Sequence, residues 1–303
     1  MADVTTREYT DPVRVGAENP GWADWRALIT PQIREQYKRD GVVFLRQALH
    51  PEWLLLIEMG LQRVLGTGAQ FKHKFFQGES GEFTETVRNF EHSFELQRLM
   101  YDSPIADMMS LLLGSERIWY YSDEFFIKEG KGNRTPWHQD MSYWPLEGEQ
   151  IASMWISLDP LPRELCLEMI PGSHRTTRYD GFSPKDVSVD PTAPYYGEEL
   201  PPLPNIEAER DKWNIVSFDI EPGDVILLHP GVLHGGGWTP EGGRRRAITI
   251  RCYGEDIVYA RRPASRPTVP LTPGLSQLLK PGDPLRSPWY PQLRPVPENQ
   301  RTR

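Results

Sequence analysis

The chain carries seven histidines, and their neighbours divide them by the chemistry they allow. His138-Gln139-Asp140 sets an imidazole and a carboxylate two residues apart. In an extended strand that spacing puts both side chains on one face, roughly 7 Å apart at the Cα atoms, close enough to share one ion. A third donor is needed, and His229-Pro-Gly-Val-Leu-His234-Gly-Gly-Gly offers two at the end of a predicted strand. Two imidazoles and one carboxylate on one face of an octahedron suit non-haem Fe(II) and leave three positions for a cosubstrate and O2. An H-x-D tripeptide arises by chance in many chains. What gives it weight is the order: H-x-D, a sheet-rich stretch, a second histidine, then Arg244-Arg245-Arg246 entering another strand.

A dicarboxylate cosubstrate needs a fixed cation at its far end, and arginine meets a carboxylate with two parallel N–H bonds. Strand alternation sets Arg245 in phase with Ala247 and Thr249, small residues suited to line a pocket, whereas Arg244 and Arg246 follow Ile248 and Ile250. Arg245 is the expected cosubstrate residue, and its two neighbours are expected in solvent.

The elements that must position these groups read as mainly β with flanking helices. Residues 1–20 are a polar arm. Residues 21–113 are mostly helical support: a helix around Ile33 to Tyr37, a short strand Val42-Val-Phe-Leu45 after the Asp40-Gly41 turn, a helix from Pro51, and two short helices split by Pro104 and ending at Gly114. Residues 114–260 carry strand-like runs at 118–121, 125–128, 151–158, 166–170, 224–229 and 246–253, with Pro171-Gly172 and Pro222-Gly223 as turns. Such short strands predict an antiparallel sandwich or barrel, in one catalytic domain spanning 1–303. Within it, 175–211 is a Pro-rich, acidic insertion read as a lid, and 261–303 is a Pro-rich tail that wraps along the body.

Composition narrows the partners. Lys and Arg number 34 against 42 Asp and Glu, a net charge of -8, so nucleic acid is not expected. Cys166 and Cys252 are too few for a disulfide scaffold. The start carries Asp3, Glu8, Asp11 and Glu18 without an apolar run, and no segment reaches membrane-span length, so a cytoplasmic protein with no membrane partner is expected. Trp119, Tyr120, Tyr121, Tyr143 and Trp144 suit an apolar or ring-bearing small-molecule substrate.

The ordered motifs carry a resemblance. Trp137-His-Gln-Asp-Met-Ser-Tyr-Trp-Pro145, Met154-Trp-Ile-Ser-Leu-Asp159, Ile170-Pro-Gly-Ser-His174 and Pro222-Gly-Asp-Val through His234-Gly to Arg-Arg-Ala247, with Asp40-Gly41-Val-Val ahead of them, resemble the phytanoyl-CoA dioxygenase family of Fe(II)/2-oxoglutarate oxygenases. The match runs in order from about Asp40 to Tyr253, though Glu164-Leu165-Cys166 replaces the small-residue pair usual before the Ile-Pro-Gly-Ser-His turn. The resemblance implies a double-stranded β-helix, a distorted, cupin-like jelly roll. It implies His138, Asp140 and His234 as the catalytic metal ligands, with His229 and His174 structural. Arg245 follows His234 by eleven residues, as the family's cosubstrate arginine does. Trp155 matches a tryptophan that contacts 2-oxoglutarate, the alternative being a core sheet tryptophan. From its place in the strand before His138, Lys128 is either a second cosubstrate cation or an exposed lysine. Trp144 faces either substrate or core. The implied activity is decarboxylation of 2-oxoglutarate to succinate and CO2 with hydroxylation of an unactivated C–H bond of a small organic molecule. Desaturation, epoxidation or rearrangement of a secondary metabolite is the alternative outcome. A non-catalytic cupin-like metal- or ligand-binding protein is the alternative class.

Overall fold

The computed structural model describes residues 24–67, 81–180, 200–262 and 272–298, and the backbone of 72–75. Helices α1 (Trp25–Leu28) and α2 (Pro31–Asp40) lead through β1 (Val42–Leu45) into α3 (Pro51–Thr67), and β2 (Lys72–Phe75) and β3 (Gly81–Val87) precede α4 (Phe94–Asp102) and α5 (Ile105–Leu113). Then come β4 (Ile118–Gly130), β5 (Thr135–His138), β6 (Leu146–Glu147), β7 (Ile151–Ser157), β8 (Leu167–Ile170), β9 (Val225–Leu228), β10 (Leu233–Gly236), β11 (Arg244–Tyr253) and β12 (Val258–Tyr259). Helix α6 (Leu275–Leu278) and β13 (Gln292–Arg294) complete the described chain.

Local chemistry sets the boundaries. Thr30 caps α2 by accepting the Ile33 N–H, with Pro31 at the first helical position, and Gly41 ends the helix at φ 67°, a conformation glycine adopts without strain. Ser93 caps α4 the same way. Ser103 Oγ accepts the Ile105 N–H, so the chain restarts as α5 directly after Pro104.

The strands form a large antiparallel sheet in the order β1-β9-β7-β11-β4-β3-β2, with β13 also paired to β4, and a small sheet in the order β5-β10-β8. The helices cover the outer face of the large sheet, where Met154, Ile156, Ile248 and Ile250 bury against Ile57, Leu61, Leu96 and Met109. On the inner face Trp155, Ile226, Leu228 and Ala247 pack against Leu167 and Met169 of the small sheet. This is the jelly-roll architecture that the short strands and the resemblance predicted. Among the described residues no helix is long and apolar enough to cross a membrane.

Three details differ from the sequence reading. The runs expected as separate strands at 118–121 and 125–128 are one strand, β4, because the polar residues between them are buried. Asp123 is the reason: its carboxylate accepts the Asn89 and Phe90 backbone N–H groups, the Asn89 side chain and the Tyr120 hydroxyl at 2.6–3.1 Å. The segment read as helical support also contributes β1, β2 and β3 to the large sheet. Arg246 is not in solvent; on the outer face it is half-buried, binding Asp159 and reaching Glu58 on α3. The polar arm at 1–20 lies outside the described residues, as do 181–199 of the insertion. The insertion's described ends are pinned to the small sheet and its surroundings by Arg178–Glu147, Arg210–Glu168 and a 2.7 Å bond from Trp137 Nε1 to Glu207. Tyr290 and Leu293 of the tail are buried.

Asp123→Ala is expected to leave several buried donors without an acceptor and to destabilise the fold by about 3 kcal/mol or more. The check is the urea unfolding midpoint at unchanged cooperativity; a loss within experimental error would remove Asp123 as the link between β4 and the Asn89–His92 turn.

Candidate active site

β5 and β10 pair antiparallel, and their register sets His138 directly opposite His234. Side chains directly opposite on such a ladder are nearest neighbours, and the two imidazole centroids lie 4.1 Å apart. Each ring is oriented by the same local device. The Nδ1 of His138 is 2.9 Å from the Pro136 carbonyl, and the Nδ1 of His234 is 2.9 Å from the Val232 carbonyl. A carbonyl only accepts, so both Nδ1 atoms carry the proton and both Nε2 atoms keep their lone pairs.

Asp140 reaches this pair by a route the strand argument did not foresee. β5 ends at His138, and Asp140 opens a single 3-10 turn, Asp140–Ser142, held by the Met141 N–H on the Pro230 carbonyl at 3.1 Å. The turn folds the carboxylate back to 3.6 Å from His138 Nε2. One donor atom from each of His138, Asp140 and His234 lies within 4.8 Å of the others, and all three residues are buried. Two neutral imidazoles and a carboxylate, with lone pairs turned to one point and Nδ1 protons tied elsewhere, fit a divalent iron.

Electrostatics favour the ligating forms. Burial, with His138 close by, pulls the His234 pKa down to about 4, so its ring is neutral at pH 7. Burial pushes the Asp140 carboxyl up, but the His138 and His234 imidazoles beside it and the Arg251 guanidinium outweigh burial and hold the group below the usual carboxylate range. The Tyr143 hydroxyl donates to Asp140, and burial and the Asp140 charge raise its own pKa, keeping that proton in place. Tyr143 fixes one carboxylate oxygen, a role that the sequence signalled only by proximity.

His229 is elsewhere. Its Nδ1 accepts the Gly231 N–H at 3.0 Å, its ring stands 4.9 Å from His174, and it is outside the donor group. His174 bonds the Lys38 carbonyl through Nε2 at 3.2 Å. Burial, with His174 and Arg178 nearby, pulls the His229 pKa down to about 3.

Arg245 lies on the inner face of β11, 3% exposed, as alternation required. Its guanidinium carbon is 5.3 Å from the centre of the Trp155 ring. Its one hydrogen bond among the described residues is a long 3.5 Å contact from Nη1 to the Gly237 carbonyl, Nε has none, and no described carboxylate pairs with it. The His-Gly-Gly-Gly run explains the approach: a Cβ on Gly237, which sits at φ 70°, would come within 2.6 Å of the guanidinium. Lys128 is Arg245's cross-strand partner on β4 and is buried. Its Nζ donates to the Asn133 and Gly237 carbonyls at 2.7 Å and to Thr135 Oγ1 at 3.4 Å. Burial, and the charges of Arg245 and Arg134, press its pKa well below the ordinary lysine value.

Two charged residues beside the donors escaped the sequence reading. Arg251 and Glu124 form a buried ion pair, Nη2 to Oε2 2.5 Å, with Arg251 5.2 Å from the centre of the Trp144 ring. The phase that selected Arg245 also selects Arg251, six residues on, whereas Glu124 fell in the gap left between two predicted strands.

With this geometry in view, the comparison with known proteins is decisive at family level. The phytanoyl-CoA dioxygenase (PhyH) family profile matches residues 37–247, the span that holds the three donors and Arg245. The chain belongs to that family. It is a 2-oxoglutarate-dependent non-haem iron dioxygenase, using Fe(II), 2-oxoglutarate and O2, and the non-catalytic alternative falls away. This dioxygenase is 27% identical to the ectoine dioxygenase of Sphingopyxis alaskensis over 244 residues, 77% of each chain. Against the peroxisomal phytanoyl-CoA dioxygenase of Homo sapiens it is 27% identical over 131 residues, 43% of this chain and 36% of that one. The non-haem, alpha-ketoglutarate-dependent carbocyclase SnoK of nogalamycin biosynthesis shares the fold, with a TM-score of 0.67 at 20% identity over 90% of this chain and 99% of that one.

Removing a donor is expected to act locally: His138→Ala, Asp140→Ala and His234→Ala should each abolish tight Fe(II) binding in anaerobic titration, while His229→Ala retains it. Loss of iron in the His229 variant with retention in the His234 variant would reverse the assignment. His229 has its own signature in the metal-free protein. Because its pKa is depressed on folding, the unfolded chain takes a proton between about pH 6.5 and pH 3 that the folded one refuses, so stability falls as pH falls through that window. His229→Gln should flatten that slope, read from urea midpoints across the pH series.

Proposed function

We propose that this dioxygenase hydroxylates an unactivated C–H bond of a small organic molecule, releasing succinate and CO2. The observation that carries the reading is the pairing of two features. Three buried donors converge on one point with their tautomers set, and a buried arginine with no carboxylate partner among the described residues reaches the Gly237 carbonyl, three residues past His234.

In this reading His138, Asp140 and His234 hold Fe(II), which supplies the O2 and 2-oxoglutarate chemistry when bound. Arg245 takes the far carboxylate of 2-oxoglutarate, which provides the acceptors its guanidinium lacks. Trp155 forms the wall beside that carboxylate. Lys128 supports the same end: its three donors are engaged by neighbouring oxygens, and the Gly237 carbonyl that it holds also receives the Arg245 contact. Tyr143 donates to the Asp140 oxygen that also faces His138 Nε2 and so fixes the orientation of the carboxylate. The buried setting of all these groups keeps bulk water away while the reaction runs.

Arg245→Ala should raise the apparent 2-oxoglutarate requirement by about two orders of magnitude, because a desolvated carboxylate left without its cation costs roughly 3 kcal/mol. Arg244→Ala, at an exposed position, should change it little. The measurement is succinate formation against 2-oxoglutarate concentration, and equal effects at the two positions would sink the role of Arg245. A second outcome tests Asp140. Since its carboxylate fills the position a halide would need, turnover in excess chloride should give oxygenated product alone; a chlorinated product, recognised by its isotope pattern, would show that Asp140 is not a ligand.

A further inference from the structure

The inner face of the large sheet holds more negative charge beside the donor site than the cofactor chemistry uses. Thr249 of β11 pairs with Glu124 of β4, and Arg251 with Ser122. On β3, Glu85 pairs with Phe126 and Val87 with Glu124, so Glu85 lies diagonally across from Glu124 on the same face. That diagonal places the two carboxyl groups as neighbours on one face, and burial and the Glu124 charge push the Glu85 pKa up. Among the described residues one cation is paired with this group. Arg251 is bound to Glu124 at 2.5 Å, both buried, while Glu85 is half-buried and has no ion pair of its own among the described residues.

Unpartnered buried hydroxyls, able to accept from a cationic nitrogen, lie near Arg251. The Tyr121 hydroxyl is fully buried, lies within electrostatic reach of Asp140 and Arg251, and has no hydrogen-bond partner among the described residues. Ser153, opposite Arg251 on β7 and 1% exposed, likewise has an unpartnered hydroxyl among those residues. Unpaired buried polar groups are costly unless something arrives to satisfy them.

We propose that Glu85 is the substrate-reading residue of this dioxygenase and that the substrate presents a positively charged nitrogen, as an ammonium, amidinium or guanidinium, to its carboxylate. The assignment deepens the proposed function and rests on that placement of the active site. Two carboxyls set as neighbours on one partly desolvated face, with one guanidinium among the described residues, disfavour being ionised together. Burial and the neighbouring Glu124 push the Glu85 pKa up, which favours its protonated form. A cationic ligand supplies the missing charge. An anionic headgroup there would instead add to Asp140 and Glu124, which argues against polyanionic substrates at this end of the pocket.

The test uses the full chain and three isosteric pairs as probes: benzamidinium with benzamide, cyclohexylammonium with cyclohexanol, and phenylguanidinium with phenylurea. Benzoate serves as the anionic control. Binding is measured by calorimetry, anaerobically, with Fe(II) and 2-oxoglutarate present. The expected result is a preference of about ten-fold or more for the cation in at least one pair, lost in Glu85→Gln and partly restored in Glu85→Asp. The register sets His73 opposite Glu85, so His73→Gln is the companion variant and should keep the preference. Equal binding within all three pairs, tighter binding of benzoate, or a preference that survives Glu85→Gln would each overturn the assignment. So would a preference lost in His73→Gln but kept in Glu85→Gln. The visible band of the Fe(II)–2-oxoglutarate chelate, recorded first, reports on the active-site reading alone. The isostere preference is read whether or not that band forms.

Discussion

Two imidazoles opposed across an antiparallel ladder, each pinned by the carbonyl two residues before it, are the constraint on which this molecule turns. β5 and β10 are four residues each and would not hold a register alone. β8 completes their sheet, and Glu168 on β8 collects Arg134 and Arg210, tying the strand to the loop before β5 and to the descending arm of the insertion. The 3-10 turn at Asp140 then needs to supply one carboxylate at a place already defined. A slip of one residue in the β5–β10 register would turn one imidazole to the other face and dissolve the site.

Charge is sorted along the inner face of the large sheet. One end of β11 carries Arg245 beside Lys128, and the other carries Arg251 with Glu124 and Glu85 close by, about 20 Å apart along the strand. Buried charges are weakly screened, so each end acts on what binds next to it. The cationic end matches a dicarboxylate. At the acidic end, among the described residues, the Arg251 guanidinium is paired with Glu124, and Glu85 lies diagonally across from it.

Much of the site was legible because its signals are local. The H-x-D spacing, the histidine followed by glycines and the phase of Arg245 against Ala247 and Thr249 are one-dimensional patterns with direct structural meaning: the three donors converge, and Arg245 lies on the inner face of the large sheet. The route to it was less legible. Asp140 shares the site with His138 through a turn and not through strand alternation, since hydrogen bonding of Met141 to Pro230 ends the strand first. Polarity also misled at 122–124, where Asp123 and Glu124 read as surface. Their partners, Asn89, Phe90 and Arg251, are far away in the chain.

What the amino-acid sequence determined by itself is the donor chemistry, the strand-rich class and the face on which Arg245 lies. These follow from residue type and a period of two, which require no knowledge of neighbours in space. The tertiary structure alone decided which histidine joins His138, by opposing it to His234 across a ladder and committing His229 to Gly231 and His174. It alone decided that Arg246 is an outer-face clamp, that Tyr143 bonds Asp140, and that Glu85 lies diagonally across from Glu124 on one face. Pairings between distant strands carry no sequence period. They are set by which hydrophobic faces bury together, and charge pairing in the interior follows from that burial.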